Sequence, residues 1–221
     1  MTGASRTALV AGATGLIGRA LLASLLASDE YHGVHALVRR TSPHLDAHPR
    51  LKIHEIDFAR LPAVPAVDDV YIALGTTIKA AGSQEAFRRV DFDYVVNIAR
   101  AGKLSGASRL GVVSAMGANA KSTIFYNRVK GEMENAIVRL GYESAVIAQP
   151  SLLMGDRGAL GQPARSGERW ASRLLGPLAS VMPRDLRPIP ARAVAAALTA
   201  AVLEGQPGFR VLKSGAMREY A

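Results

Sequence analysis

The chain has 221 residues, a formal net charge of +9 and no cysteine. That length suits one α/β domain, and the missing cysteine excludes disulfides, thiolate catalysis and cysteine metal sites. The Lys and Arg residues are spread along the whole chain with few aromatics, so the charge reads as attraction for a polyanionic small ligand, or plain solubility, rather than as a nucleic-acid surface.

In chain order, "TALVA" (7–11) reads as a buried strand and "LIGRALLASLLAS" (16–28) as a helix with apolar residues on helical spacing. "GVHALV" (33–38), "LKIHEIDF" (51–58) and "DDVYIAL" (68–74) read as the second to fourth strands. "SQEAFRRVDFDYVVNIARAGKLSG" (83–106) holds a long helix and its exit, "RLGVVSA" (109–115) a fifth strand, and residues 123–140 a helix. "ESAVIAQP" (143–150) is a sixth strand stopped by proline. Beyond it, "GDRGALGQPARSGERW" (155–170) reads as loop, and "WASRLLGPLASVM" as a short helix that Pro177 kinks or breaks. "PARAVAAALTAAVLEG" (190–205) is a helix with Pro at its start and Gly205 as cap, and "GFRVLKS" (208–214) a last strand.

Strands alternating with helices of this length predict βαβ units: a doubly wound parallel sheet of Rossmann type with helices on both faces. One domain covers residues 1–221, with residues 151–190 as a small substrate-side segment. The five histidines, His32, His35, His44, His48 and His54, lack the HExxH arrangement and read as loop or strand-edge residues, so no metal is expected. No export signal is visible and no apolar run reaches the length of a membrane span, which makes a cytoplasmic location the expectation.

The turn "GATGLIG" joins the first strand to the first helix. Gly12 allows the tight turn, Gly15 lets backbone approach a pyrophosphate, and Gly18 lets helix and strand pack closely; Ala13, Thr14, Leu16 and Ile17 complete the cradle. The helix N-terminus then offers free N–H groups and a positive dipole end. The second strand ends in Arg39 and Arg40, where an NAD-binding chain usually carries an acid. Guanidinium groups suit a 2′-phosphate, so NADP(H) is the expected cofactor. Asp57 and Phe58 close the third strand, a place to touch adenine. Leu74, Gly75 and Thr76 close the fourth, where small residues admit the cofactor against backbone.

Tyr126 and Lys130 lie four apart in a helical region and therefore share a face. Ser114 ends a strand twelve residues before Tyr126. In such a trio Tyr exchanges a proton with a carbonyl or alcohol oxygen, Ser hydrogen-bonds that oxygen, and Lys favours the tyrosinate and binds the ribose. A tyrosine working near neutrality needs a shift of about three pH units, roughly 4 kcal/mol. A lysine about 4 Å away at an effective dielectric near 20 supplies about that much.

Together, "LVAGATGLIGRALL", "ALGTT", "FRRVDFDYVVNIARAG", "SAMGANAKSTIFYNRVKGEME", "QPSLLMGDR", "GERW" and "IPARAVAAAL" resemble the short-chain dehydrogenase/reductase superfamily, in its atypical branch and near the Tat-interacting oxidoreductase-like group. The resemblance implies a Rossmann fold binding NADPH through Gly12, Gly15, Gly18, Arg39 and Arg40. It implies a catalytic trio of Ser114, Tyr126 and Lys130, with Pro150 and the residues after it flanking the nicotinamide. Two positions depart from the pattern. Ala115 follows Ser114 where a second serine is frequent, leaving Ser122 or Thr123 as alternative hydroxyls, and Asp91 stands where an Asn is often placed, with Asn97 a turn and a half later.

The expected function is an NADP(H)-dependent oxidoreductase acting on a small carbonyl or alcohol. The alternative is an NADP(H)-binding regulatory protein that binds a protein partner without turnover. Substrate and oligomeric state are left open, although Arg157, Arg165 and Arg169 could attract an acidic substrate.

Overall fold

The computed structural model describes residues 6–40, 45–154 and 183–220. Seven parallel strands form one sheet in the order β3-β2-β1-β4-β5-β6-β9. These are β1 (Arg6–Ala11), β2 (Tyr31–Val38), β3 (Leu51–Glu55), β4 (Asp69–Ile72), β5 (Arg109–Val113), β6 (Ser144–Gln149) and β9 (Gly208–Lys213).

The β1 sequence explains why it occupies the centre. Successive side chains point to opposite faces, so Ala8 and Val10 enter one apolar layer while Leu9 and Ala11 enter the other. The first layer is closed by α1 (Leu16–Ala27) and α6 (Ala191–Glu204), the second by α4 (Val95–Leu104) and α5 (Phe125–Arg139). Leu21 and Leu25 of α1 are fully buried, each contributing about 1.5–3 kcal/mol through area removed from water. Among the described residues, no helix is long and apolar enough to cross a membrane.

The chain runs outward from β1 to β3, then returns to β4 on the other side of β1. In open α/β sheets that reversal opens a crevice beyond the carboxyl ends of the two strands. The turn after β1, Arg39 and Arg40 after β2, the loop after β4, Ser114 after β5 and Pro150 after β6 all lie at this end. Among the described residues, the predicted strands and helices are present with ends shifted by a few residues: β3 and β4 are shorter than expected, while β2 begins two residues earlier. A small second sheet pairs β7 (Leu153–Met154) with β8 (Ile189–Pro190). Residues 155–182, with the predicted loop, the short helix and the three arginines noted above, lie outside the described residues.

The long helix expected over 83–106 is interrupted. It follows α2 (Ile78–Ala81) as α3 (Gln84–Arg88), a π-helical turn (Arg89–Tyr94) and α4. Thr77 caps α2 through the Ala80 N–H at 3.0 Å, and Ser83 caps α3 through the Ala86 N–H at 3.1 Å. A π turn carries an extra residue, which rotates the side chains relative to an uninterrupted α-helix. Asp91 consequently points into the protein at 1% exposure while Asp93 faces solvent.

Candidate functional site

The glycine turn is built for close approach. Gly12 has φ +91°, and a Cβ there would sit 2.6 Å from the Ala73 carbonyl oxygen and 2.9 Å from the Leu74 nitrogen. The end of β1 therefore lies against the loop after β4, and Ala73 N–H donates to the Ala11 carbonyl at 2.8 Å. Gly15 N–H donates to the Gly12 carbonyl at 2.9 Å, and Gly15 starts α1. A Cβ on Gly18 would fall on the Gly12 carbonyl. Of the other turn residues, Ala13 and Ile17 are buried and Leu16 packs against the same layer, leaving backbone as their contribution to the crevice.

The residues present fit an anionic dinucleotide. The α1 N-terminus has no acid in its first turn and no side-chain cap, so its first N–H groups and the positive dipole end are unspent. Arg39 and Arg40 are both exposed where β2 ends, two and three residues past the Ala11–Leu37 pairing. Asp57 is committed locally: its carboxylate accepts from the Ala59 N–H at 2.9 Å. The Phe58 ring is buried against Tyr94, 5.9 Å between centroids, which leaves its backbone rather than its ring to approach adenine.

Across the crevice, Ser114 follows β5 and is 5% exposed. Its N–H donates to the Ala148 carbonyl at 2.7 Å, and Met116 N–H donates to the Pro150 carbonyl at 3.0 Å, which ties the ends of β5 and β6 together. The Ser114 hydroxyl makes no well-formed hydrogen bond, though it lies near enough to Glu134 to favour that carboxylate's ionised form. Of the alternative hydroxyls, Ser122 Oγ already accepts from the Ile124 N–H at 3.1 Å, and Thr123 is exposed.

Helix α5 carries Tyr126, Lys130 and Glu134 at successive four-residue steps. The Tyr126 ring packs on Phe87 of α3, with centroids 5.3 Å apart. Lys130 is 4% exposed, and its ammonium lies 2.7 Å from Asp91 Oδ1. Thr76 N–H donates to the other Asp91 oxygen at 2.9 Å. Glu134 accepts from Gln149 Nε2 at 2.9 and 3.0 Å; burial raises its pKa, outweighing the opposing effects of Ser114, Gln149 and Lys130. Asn97 is exposed on α4, facing away from this group.

Three features escape a reading of the sequence. Asp91 meets Lys130 from the π turn, an element that no sequence period announces. Glu134 joins through α5 periodicity, one four-residue step beyond Lys130. A Cβ on Gly131 would fall on the Asn119 and Ala120 backbone, so that glycine lets α5 press against the loop after β5; a glycine in mid-helix was its signal. His35 Nδ1 and His54 Nε2 lie 2.9 Å apart between β2 and β3. Among the described residues, no group of three or more potential ligands is placed to hold a metal ion.

Residues 12–152 match a family model described as NAD(P)H-binding. The chain is 38% identical over 151 residues to the mitochondrial protein FMP52 of Eremothecium gossypii, covering 68% of this chain and 67% of that one. It is 33% identical over 173 residues to the mitochondrial protein fmp52 of Emericella nidulans, covering 75% and 74%. Among solved structures, a short chain dehydrogenase family protein from Francisella tularensis superposes with TM-score 0.70 at 13% identity, covering 97% of this chain and all of that one. MoeE5 in complex with UDP-glucose and NAD gives 0.69 at 18%, covering 93% and 75%. These likenesses carry the fold and a nicotinamide cofactor of unspecified phosphorylation.

One expectation is corrected. A cytoplasmic location rested on the lack of an export or spanning signal, whereas the FMP52 relatives are named mitochondrial. With a family match running from the glycine turn through α5 to the residues after β6, the chain belongs to the NAD(P)H-binding family.

Proposed function

We propose that the chain is an NADP(H)-dependent oxidoreductase acting on a small carbonyl or alcohol. The observation that carries this reading is Lys130, buried beneath the Leu74–Thr77 loop and four residues along α5 from Tyr126. Gly12, Ala13, Thr14, Gly15, Leu16, Ile17 and Gly18 would cradle the pyrophosphate. Arg39 and Arg40 would hold a 2′-phosphate, and Asp57 and Phe58 would border the adenine. Leu74, Gly75, Thr76 and Pro150 would bound the nicotinamide half. The cofactor, when bound, supplies or accepts the hydride. Tyr126 exchanges a proton with the substrate oxygen, Ser114 hydrogen-bonds that oxygen, and Lys130 binds the ribose and favours the tyrosinate. The chain works as one domain with residues 151–190 as its substrate-side segment; among the described residues of that segment, Ser151 N–H bonds Ser214 Oγ at 2.7 Å and β7 pairs with β8. The relatives' names favour a mitochondrial setting.

A second reading, binding NADP(H) without turnover, draws on the same lysine: an ammonium paired with Asp91 has less charge to offer Tyr126. NADPH oxidation against a panel of carbonyls separates the two. The parent is expected to turn over at least one compound, and Tyr126→Phe to lose about 10²–10⁴-fold of that rate while binding NADPH normally. Tight NADPH binding with no turnover by the parent would sink the enzyme reading. Replacing Arg39 and Arg40 together with alanine is expected to weaken NADPH about tenfold or more, through lost charge-assisted bonds, and NADH little. Equal losses for both would rule out the 2′-phosphate role.

A further inference from the structure

Three segments distant in sequence meet at one buried carboxylate. Asp91, from the π turn, contacts the Lys130 ammonium of α5 at 2.7 Å and accepts from the Thr76 N–H of the loop after β4 at 2.9 Å. Gly75 leaves the space for this junction. A Cβ there would lie 3.3 Å from Asp91 Oδ1 and 3.8 Å from Lys130 Nζ. Taking both charges out of water is costly, and apolar residues of similar size commonly give equal stability, so a pair this buried is poorly explained by stability alone. Its partners point to another use, because both lie where the dinucleotide enters: the lysine on the helix of Tyr126, and the loop against which Gly12 packs.

We propose that Asp91 is a positioning residue for cofactor binding: it clamps the Lys130 ammonium to the Leu74–Thr77 loop, so that the charged lysine and the loop backbone meet the cofactor as one unit. The proposal rests on the placement of the cofactor given above and is independent of turnover. Among the described residues, the Lys130 ammonium meets Asp91 from the π turn and acts on Glu134 one helical step further along α5, with the Ser114 hydroxyl at the end of β5 near Glu134.

The test uses the intact protein and titrates it with NADPH and NADH by cofactor fluorescence, following the tighter binder. Asp91→Asn keeps the shape and an acceptor for the Thr76 N–H. It is expected to bind about tenfold more weakly at neutral pH. A variant whose affinity matches the parent's, with only a lower melting temperature, assigns Asp91 to the fold and overturns the proposal. Should Asp91→Asn be too unstable to titrate, the double variant Asp91→Asn with Lys130→Met leaves no buried charge unpaired. It is expected to bind the cofactor no worse than Lys130→Met alone, because Asp91 acts through the lysine. A further loss in the double variant overturns the proposal. Lack of carbonyl reduction by the parent would refute the enzyme reading and leave these binding results unaffected.

Discussion

Gly18→Ala is expected to abolish measurable dinucleotide binding. A Cβ at that position would lie on the Gly12 carbonyl oxygen, 2.6 Å from the Gly12 carbonyl carbon and 3.0 Å from the Ala13 nitrogen. All of these are backbone atoms of the turn, so no side-chain rotation relieves the overlap. Either α1 moves off the sheet or the turn opens. The first is resisted by Ile17, Leu21 and Leu25, which anchor α1 in the apolar layer. The second moves the N–H groups that would meet the pyrophosphate. An affinity loss of at least about 100-fold, roughly 2.7 kcal/mol, follows from either response. Melting temperature should fall as well, since overpacking costs about 1–3 kcal/mol even where side chains can adjust. Gly15→Ala is the internal comparison for the loss of melting temperature alone, since that glycine would also face the pyrophosphate. Its nearest neighbour would be the Gly12 carbonyl oxygen at 3.3 Å, which a shift of a few tenths of an ångström accommodates. Thermal denaturation of both variants reads the contrast, and fluorescence titration of NADPH and NADH reads the binding loss in Gly18→Ala. Parent-like affinity in Gly18→Ala would refute the turn as the cofactor site.

Most of the architecture was open to inspection in the sequence because its periods are clean. "TALVA" is apolar on both faces, as a central parallel strand must be, and "PARAVAAALTAAVLEG" has a helical repeat between a Pro start and a Gly stop. The interrupted helix was less legible. A 3.6-residue period cannot announce where one extra residue enters, and "VDFDYVV" offers two aspartates with no local sign of which turns inward. Tyr126 and Lys130 could be paired from their spacing alone. The charge environment of the lysine could not, because Asp91 reaches it from another element; a carboxylate in direct contact with the ammonium offsets part of the field the lysine would place on Tyr126. Phe58 illustrates the converse. Its place at a strand end marks it as a residue to touch adenine, but its ring packs on Tyr94 in the apolar layer, where a hydrophobic residue gains more. Location was not legible at all, since it depends on signals outside the folded domain's physics.

The largest effect on stability is expected at the opposite end of the sheet, from Asp69→Ala. Asp69 opens β4 and is fully buried. It accepts from Arg6 Nε at 2.7 Å and from Arg6 Nη2 at 2.5 Å, and from the Tyr31 hydroxyl at 2.7 Å. Tyr31 in turn shares a 2.8 Å hydrogen bond with the Tyr71 hydroxyl. One carboxylate thus closes a network joining the first residues of β1, β2 and β4, the three strands around which the chain reverses direction. Hydrogen bonds donated to Asp69 keep Arg6 more firmly protonated than usual, and burial holds the Tyr31 and Tyr71 phenols above their ordinary range. Alanine would leave a half-buried guanidinium and one of the two buried phenol hydroxyls short of an acceptor, as well as a void. The expected cost is about 3–5 kcal/mol, the range for removing one partner of a buried pair. In a chain of this size that corresponds to a melting temperature lower by roughly 6–20 °C. Asp69→Asn should fall between parent and alanine, because it keeps an acceptor for Tyr31 and loses the charge that holds Arg6. The cofactor crevice is at the far ends of the same strands, so the folded fraction of Asp69→Ala should bind NAD(P)H with unchanged affinity. Urea denaturation measures the first effect and cofactor titration the second. A stability loss under about 1 kcal/mol would mean that water reaches the network and the pair contributes little, and weakened cofactor binding would mean that strain at the amino ends of β1, β2 and β4 is transmitted along the strands to the turn.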